Sequence, residues 1–180
     1  HTVIVLAGGE VLTCGWNNTG QCGHGSTSDI LTPLPIASLK GMPIQHAAAG
    51  GGHTAIVTYA GQLLTFGSGS CGQLGQTSSE DCLVPKAVVG GLKGVHVAAC
   101  ACGEEFTVAI SALRQVYVFG LNNVGQLGGA SDLDFSTEAV ELASVHERGI
   151  EMCSCTQDQT LALTADGAIL EWGRGDSISG

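Results

Sequence analysis

The chain has 180 residues, of which 44% are hydrophobic and 12% are charged, and six Lys and Arg against sixteen Asp and Glu give a formal net charge of −10. The six cations stand singly, so the sequence offers no cationic patch, and we expect no direct binding to nucleic acid or to membranes. No apolar run reaches the roughly 20 residues that a membrane-spanning helix needs.

The first residues of the chain, 1–6, have neither the basic segment nor the long apolar segment of a secretory signal. The chain also does not begin with methionine. We therefore expect that it starts inside a longer protein.

A threonine recurs along the chain at intervals of 52, 53 and 53 residues, and a glycine follows each threonine thirteen positions later. These anchors are Thr2, Thr54, Thr107 and Thr160, followed by Gly15, Gly67, Gly120 and Gly173. Between the two anchors each copy has an apolar run, a turn and a second apolar run. This layout predicts a β-hairpin in every copy, and the nearly constant period indicates a repeat architecture.

Glycine occupies the predicted hairpin turn in three copies, as Gly9, Gly61 and Gly167, where it tolerates a positive φ without a Cβ clash. Arg114 stands at this place in the third copy, so that turn is either strained or built differently. The residue before the closing glycine is aromatic in three copies of four. In chain order it is Cys14, Phe66, Phe119 and Trp172. We expect these side chains to stack between neighbouring sheets as part of the core.

The first three hairpins are each followed by a Gly-Gln-x-Gly motif and then by a polar linker. The motif occurs at 20–23, 72–75 and 125–128, and the linkers carry Asp29, Asp81 and Asp134 in register. A further strand is predicted before each of the last three anchor threonines, at about Ile44–Ala49, Val95–Ala101 and Ile150–Ser154. A fourth strand is predicted near Leu34–Ala37, Ala87–Val89 and Ala139–Leu142. No segment has helical periodicity, so we expect an all-β fold.

Short strands in groups of four predict the blades of a β-propeller. The chain holds about three and a half copies of the repeat, at 1–52, 53–105, 106–158 and an incomplete 159–180. The whole chain, 1–180, is thus predicted to be a partial β-propeller.

The repeats resemble those of the regulator of chromosome condensation family. The resemblance rests on the Gly-Gln-x-Gly motifs, on Ala101-Cys102-Gly103 before a threonine-led strand, and on the His53-Thr54 pair, and it covers essentially the whole chain. In that family the repeats build a seven-bladed ring. The resemblance therefore implies that the remaining blades or another chain complete the propeller, since a half ring leaves an apolar blade face uncovered at each end.

The eight cysteines fall largely on shared repeat positions. Cys100 is equivalent to Cys153, and Cys102 to Cys155, and the first copy has Ala47 and Ala49 at the same two places. A strand position that accepts Cys or Ala indicates a small core site rather than a metal ligand. We expect no metal, no cofactor and no disulfide framework, and an intracellular setting that is cytoplasmic, nuclear or cytoskeletal.

The histidines do not indicate catalysis either. His53 precedes its anchor threonine, but Phe106 and Gln159 take the same place in later copies, which indicates packing or loop hydrogen bonding. The sequence has no phosphate-binding loop, no nucleophile elbow and no zinc-protease motif. We predict that the chain has no catalytic residues and is not an enzyme.

The linkers 26–32, 77–84 and 129–137 are where the copies differ most, and binding residues are commonly carried on such loops. The leading hypothesis is a non-enzymatic protein-interaction scaffold within a larger protein or assembly, and the negative charge favours a basic protein partner. The candidate contacts are the linker acids Asp29, Glu80, Asp81, Asp132 and Asp134. The alternative is that these acids only keep one rim soluble.

The resemblance also implies a second hypothesis, guanine-nucleotide exchange on a small GTPase, which the family's founding member performs with a β-hairpin inserted in one blade. The even repeat spacing leaves no room for an insertion here, so blades outside the chain would have to supply it. A light-absorbing role is disfavoured, because the Gly-Trp-Arg-His-Thr motif of the family's plant photoreceptor reads Gly-Gly-Gly-His-Thr at 50–54. The family's repeats also occur in large ubiquitin ligases, where they recruit partners.

Overall fold

A computed structural model describes residues 1–174 and 176–179 of the chain, with side chains described up to residue 174. Residues 175 and 180, in the incomplete fourth repeat, lie outside the described residues. Among the described residues, no helix is long and apolar enough to cross a lipid bilayer.

The described residues form fifteen β-strands and three short 3-10 helices. The strands are β1 Thr2–Val5, β2 Val11–Gly15, β3 Ile30–Pro35, β4 Ile44–Ala49, β5 His53–Thr58, β6 Leu63–Gly67, β7 Cys82–Ala87, β8 Val97–Cys102, β9 Phe106–Ser111, β10 Val116–Leu121, β11 Phe135–Glu141, β12 Ile150–Cys155, β13 Gln159–Thr164, β14 Ile169–Gly173 and β15 Asp176–Ser179. The 3-10 helices are Ala37–Leu39, Gly90–Leu92 and Ala143–Arg148. Each 3-10 helix lies between the last strand of one sheet and the first strand of the next.

The strands group into four antiparallel sheets in chain order. One sheet has three strands, β1-β2-β3, and the others have four: β4-β5-β6-β7, β8-β9-β10-β11 and β12-β13-β14-β15. The inner strands β4, β8 and β12 lie side by side, so successive sheets are arranged around a common axis. The predicted all-β fold with propeller blades is therefore confirmed. The sheets are offset from the sequence repeats, because the strand that precedes each anchor threonine pairs with the strand that carries it.

The predicted hairpins are present in all four copies, with each anchor threonine paired to the residue before its closing glycine, as in Thr54↔Phe66. The closing glycines share a positive φ, which is +104° at Gly67. A Cβ on Gly67 would lie 2.5 Å from the carbonyl oxygen of Gly52 in the loop between β4 and β5, so this position has no space for a side chain.

The turn of the third hairpin has the same backbone conformation as the glycine turns, although it contains no glycine. Arg114 has φ +64°, close to the +79° of its counterpart Gly61. The third turn is therefore strained and is not built differently from the others. A left-handed conformation costs a residue with a Cβ about 1–2 kcal/mol.

The outer strands β3, β7 and β11 begin earlier than the sequence predicted. They start at Ile30, Cys82 and Phe135, and the predicted segments near Ala37 and Val89 lie where these strands end and the 3-10 connections begin. Pro33 and Pro85 lie within β3 and β7, which is permitted because an outermost strand can leave one edge unpaired.

Three apolar clusters fill the spaces between successive sheets. The aromatic side chains before the closing glycines are fully buried in them: Phe66 between the first and second sheets, Phe119 between the second and third, and Trp172 between the third and fourth. Each ring packs against the last glycine of the preceding sheet's Gly-Gln-x-Gly motif, so that a Cβ on Gly75 would lie 2.8 Å from the Phe119 ring. The predicted stacking of these aromatics is confirmed.

Candidate protein-binding face

The repeated polar residues form hydrogen bonds between neighbouring sheets. The hydroxyl of Thr107 donates to the carbonyl oxygen of Gln73 in the preceding sheet at 2.8 Å, and it also contacts Nε2 of His53 at 2.8 Å. A hydroxyl has one proton, so His53 Nε2–H must be the donor in the second bond. His1, Thr54 and Gln21 repeat the same chain of bonds one sheet earlier.

The His53 imidazole is fully buried, and its Nδ1 has no hydrogen-bond partner among the described residues. Burial disfavours the charged ring and lowers the pKa of His53 to about 4. His53 is therefore neutral at physiological pH. Phe106, at the equivalent place in the next sheet, is equally buried, which agrees with a packing role for this position.

The paired cysteines lie on the inner strands and pack against the apolar clusters. Cys100 is buried in the cluster between the second and third sheets, and Cys153 packs against the next cluster. Burial raises the pKa of both thiols to about 12, so they are protonated at neutral pH. Within the part of the chain that the structure describes, no three His, Cys, Asp or Glu side chains come together as a metal-binding group.

The loops at the two ends of the sheets form two separate faces, because antiparallel strands return alternate loops to the same end. The linker face consists of the loops 16–29, 50–52, 68–81, 103–105, 122–134, 156–158 and residue 174. The turn face, at the opposite end, consists of the loops 6–10, 36–43, 59–62, 88–96, 112–115, 142–149 and 165–168. Hydrogen bonds between loops of neighbouring sheets, such as Glu104 N–H to Gln157 O at 3.1 Å, join the linker face across the sheets.

The two faces differ strongly in charge. The described loops of the linker face carry eight Asp and Glu and one Arg, whereas those of the turn face carry three Asp and Glu and four Lys and Arg. The single arginine of the linker face, Arg174, lies 3.4 Å from the carboxylate of Asp158. The linker face thus has a formal charge of −7 and the turn face +1.

All five acids predicted as partner contacts lie on the linker face and are exposed. They are Asp29, Glu80, Asp81, Asp132 and Asp134. Two of them also brace their loops: a carboxylate oxygen of Asp29 accepts from Asn17 N–H at 3.0 Å, and one of Asp81 accepts from Gly69 N–H at 2.9 Å. In the third copy the backbone carbonyl of Asp134 takes this role, which leaves its carboxylate facing solvent.

Three further acids and one aromatic side chain of this face were not predicted from the sequence: Glu104, Glu105, Asp158 and Trp16. The signal was available in the hairpin pattern, because the loop before each anchor threonine must lie at the same end as the loop after the closing glycine. Trp16 is 58% exposed, which is unusual for so large an apolar side chain.

The turn face has two apolar grooves of about 690 and 600 Å³ at equivalent junctions between sheets. Each lies between a hairpin turn and the following 3-10 helix, and each includes one lysine, Lys93 or Lys40. Their recurrence at successive junctions indicates that they are products of the repeat. The second groove also includes Glu10, and no hydrogen bond or ion pair among the described residues joins its carboxylate to Lys40.

Comparison with known proteins places these features in a family. The family model "Regulator of chromosome condensation (RCC1) repeat" matches residues 8–57 and 60–110, and a second model of the same repeat matches 44–73. The chain is 36% identical to the human E3 ubiquitin-protein ligase HERC2 over 98% of its own length, and 33% identical to the Arabidopsis thaliana ultraviolet-B receptor UVR8 over 96%. It spans only 4% of the first relative and 39% of the second.

The fold also matches a solved propeller. The crystal structure of Saccharomyces cerevisiae Prp20p, described together with the binding properties of that protein to Gsp1p and histones, superposes with a TM-score of 0.80 at 23% identity. The match covers 97% of this chain and 41% of Prp20p. At this level of identity the likeness establishes the fold.

Proposed function

This chain belongs to the regulator of chromosome condensation (RCC1) repeat family, and from that premise we propose that it is a non-enzymatic protein-interaction module whose linker face binds a basic protein surface. The observation that carries the proposal is the segregation of charge, with eight acids against one arginine on one face of an otherwise mixed molecule. Complementary charge steers association and selects partners.

The form of the linker face supports binding more than simple solubility. Asn17 donates through its side-chain amide to the carbonyls of Ser26 and Ser28 at 2.9 and 2.8 Å, and Asn122 repeats this arrangement in the third copy. These bonds hold the first and third linkers in fixed conformations. Ordered loops lose less conformational entropy when a partner binds than loose ones do.

The test compares matched pairs of neutralised acids. Glu80→Gln with Glu104→Gln removes two charges from the linker face, and Glu10→Gln with Glu147→Gln removes two from the turn face. All four side chains are exposed, and none forms a hydrogen bond or ion pair within the described residues. We use purified core histones as the basic probe and measure Kd by biolayer interferometry at several salt concentrations.

We expect the linker-face pair to weaken binding about 5-fold at low salt, with the difference shrinking as salt rises, because surface charges contribute roughly 0.2–1 kcal/mol each and are screened. The turn-face pair should change Kd by less than about 2-fold. Equal effects of the two pairs would refute a role for the linker face.

Exchange of guanine nucleotide on a small GTPase is the competing function. The strands of the described blades follow one another without an inserted hairpin between 1 and 174. A nucleotide-release assay with candidate GTPases separates the two functions, since accelerated release would contradict a role limited to binding.

We also infer that the exposed apolar residues of the first sheet are covered by further blades or by another chain. Val5, Leu6 and Leu34 are each more than a third exposed on this three-stranded sheet. We expect the isolated 180-residue segment to dimerise or aggregate in sedimentation velocity experiments. A stable monomer with cooperative unfolding would count against this inference.

A further inference from the structure

A groove on the outer part of the linker face separates the second sheet from the third. It has a volume of about 750 Å³ and is lined by residues 77–79 of the second sheet's loop and by residues 131, 133–138 and 140 around β11. Unlike the two grooves of the turn face, it lies among the acidic linkers.

Two large apolar side chains of the third linker line this groove while remaining open to solvent. Leu133 is 67% exposed and Phe135 is 43% exposed. Paired exposed apolar residues with a polar rim are typical of interaction sites.

The backbone that carries Leu133 is held in place. The side-chain amide of Asn122 donates to the carbonyl oxygens of Ser131 and Leu133, both at 2.9 Å, and Leu133 N–H donates to Ser131 Oγ at 3.2 Å. Leu133 is thus presented to solvent by a braced loop.

The opposite wall of the groove contains a strained residue. Thr77 has φ +63°, and its N–H donates to the carbonyl oxygen of Thr137 at 2.9 Å. The equivalent residue one sheet earlier is Gly25, which has the same kind of bond to Leu83 and no strain. A threonine with a positive φ adds backbone strain, and residues with strained backbones cluster at functional sites.

The apolar pair is particular to the third linker. The residues in register with Leu133 and Phe135 are Glu80 and Cys82 in the second linker. The groove is therefore not a by-product of the repeat, in contrast to the grooves of the turn face.

The charges around the groove are all of one sign. Asp134 and Glu138 line it and Asp132 adjoins Leu133, all three exposed, while its lining includes no Lys or Arg. We propose that this groove binds an extended segment of a partner protein in which a large apolar side chain is flanked by Lys or Arg. This inference rests on the proposed function, because it assigns one contact of the partner to a defined place on the linker face.

The test uses two fluorescein-labelled ten-residue peptides of Lys, Ser and Gly with identical charge, one with Leu at its centre and one with Ser. Fluorescence anisotropy gives their Kd values for the wild-type protein. We expect the Leu peptide to bind about 10-fold more tightly, as burial of one leucine side chain predicts. Leu133→Ser should reduce this preference below about 2-fold and leave the affinity for the Ser peptide unchanged.

Leu113→Ser is the matched control, because Leu113 is 81% exposed on the turn face and should leave the preference intact. Asp132→Asn with Asp134→Asn provides a second, independent variant, which should raise the Kd of both peptides by the same factor of about 5. Circular dichroism melts show whether each variant keeps the wild-type fold.

Equal binding of the two peptides to the wild type, or an unchanged preference in Leu133→Ser, would overturn the groove proposal. The proposed function would survive that result if Glu80→Gln with Glu104→Gln still weakened histone binding, so the two failures are distinguishable. A lower sedimentation mass of Leu133→Ser than of wild type would also overturn the proposal, since it would assign the groove to a second copy of this chain.

Discussion

Thr107→Val should strongly destabilise the protein, because it removes the hydroxyl that joins two sheets while keeping the side-chain shape. The substitution leaves two buried groups without partners, the N–H of His53 and the carbonyl of Gln73. An unsatisfied buried polar group costs about 1–3 kcal/mol, so we expect a loss of about 3 kcal/mol in the free energy of unfolding.

A double-mutant cycle with His53→Phe makes the test specific. Phe106 shows that the equivalent position accepts phenylalanine in a fully buried site. His53→Phe removes the imidazole N–H, so the double variant leaves only the Gln73 carbonyl unpaired, and it should be about 1–2 kcal/mol more stable than Thr107→Val alone. Thr2→Val is the control, because Thr2 is the exposed anchor of the first copy and the change should stay within about 0.5 kcal/mol.

Urea unfolding followed by circular dichroism gives the four free energies of the cycle. Additive effects of His53→Phe and Thr107→Val would refute the hydrogen bond between these two side chains, since the cost of Thr107→Val would then not depend on the imidazole. A loss below about 1 kcal/mol for Thr107→Val would refute the role of the hydroxyl between the sheets.

Three further outcomes follow from the structure. The pKa of His53 is lowered from 6.5 to about 4 in the folded protein, so the stability that its neutral ring contributes is fully present above pH 6.5 and is lost as the pH falls towards 4. Between pH 7 and pH 4 the free energy of unfolding should therefore fall by about 3 kcal/mol more in wild type than in His53→Phe, as urea titrations at each pH measure. Parallel pH profiles of the two proteins would contradict this. Arg114→Gly should raise the free energy of unfolding by about 0.5 kcal/mol, because relief of the positive φ outweighs loss of the exposed ion pair with Glu151. Arg114→Ala keeps the strained φ and loses the ion pair, so it should lower the free energy of unfolding. A lower free energy of unfolding in both variants would refute this reasoning. Cys100 is buried and its thiol pKa is about 12, so it should react with iodoacetamide at pH 8 only after unfolding. Mass spectrometry of native and urea-treated protein measures this labelling. Rapid labelling of Cys100 in the native protein would contradict its burial.

The framework of this protein was accessible from its sequence because the repeat aligns equivalent residues. The period from Thr54 to Thr107 and the glycine at position 67 predicted the hairpins, and the recurrence of Phe66, Phe119 and Trp172 predicted their burial between sheets. A pattern repeated at a fixed spacing reports a shared environment even without coordinates.

The start of the outer strands was not accessible in the same way. β3 and β7 run through Pro33 and Pro85, which local propensity reads as breaks, and only their position at the outer edge of a sheet makes proline acceptable. The choice between the two alternatives at Arg114 also needed the structure, since sequence does not reveal whether a turn is rebuilt or strained.

The candidate face was accessible only in part. The five linker acids follow from comparison of the copies, but Glu104, Glu105 and Asp158 lie far from them in sequence and join them only through the antiparallel return of the strands. The groove at Leu133 and Phe135 depends on the wall that Thr77 supplies from another sheet, and no pattern within one repeat indicates such a pairing.

Hydrogen–deuterium exchange of the protein with and without bound core histones tests the central claim most directly. We expect slower exchange in the complex at 68–81, 103–105 and 122–134 on the linker face, and unchanged exchange at 36–43, 88–96 and 142–149 on the turn face. Protection confined to the turn face, or no protection in a complex whose formation is verified by its mass, would contradict the assignment of the acidic linker face as the binding surface.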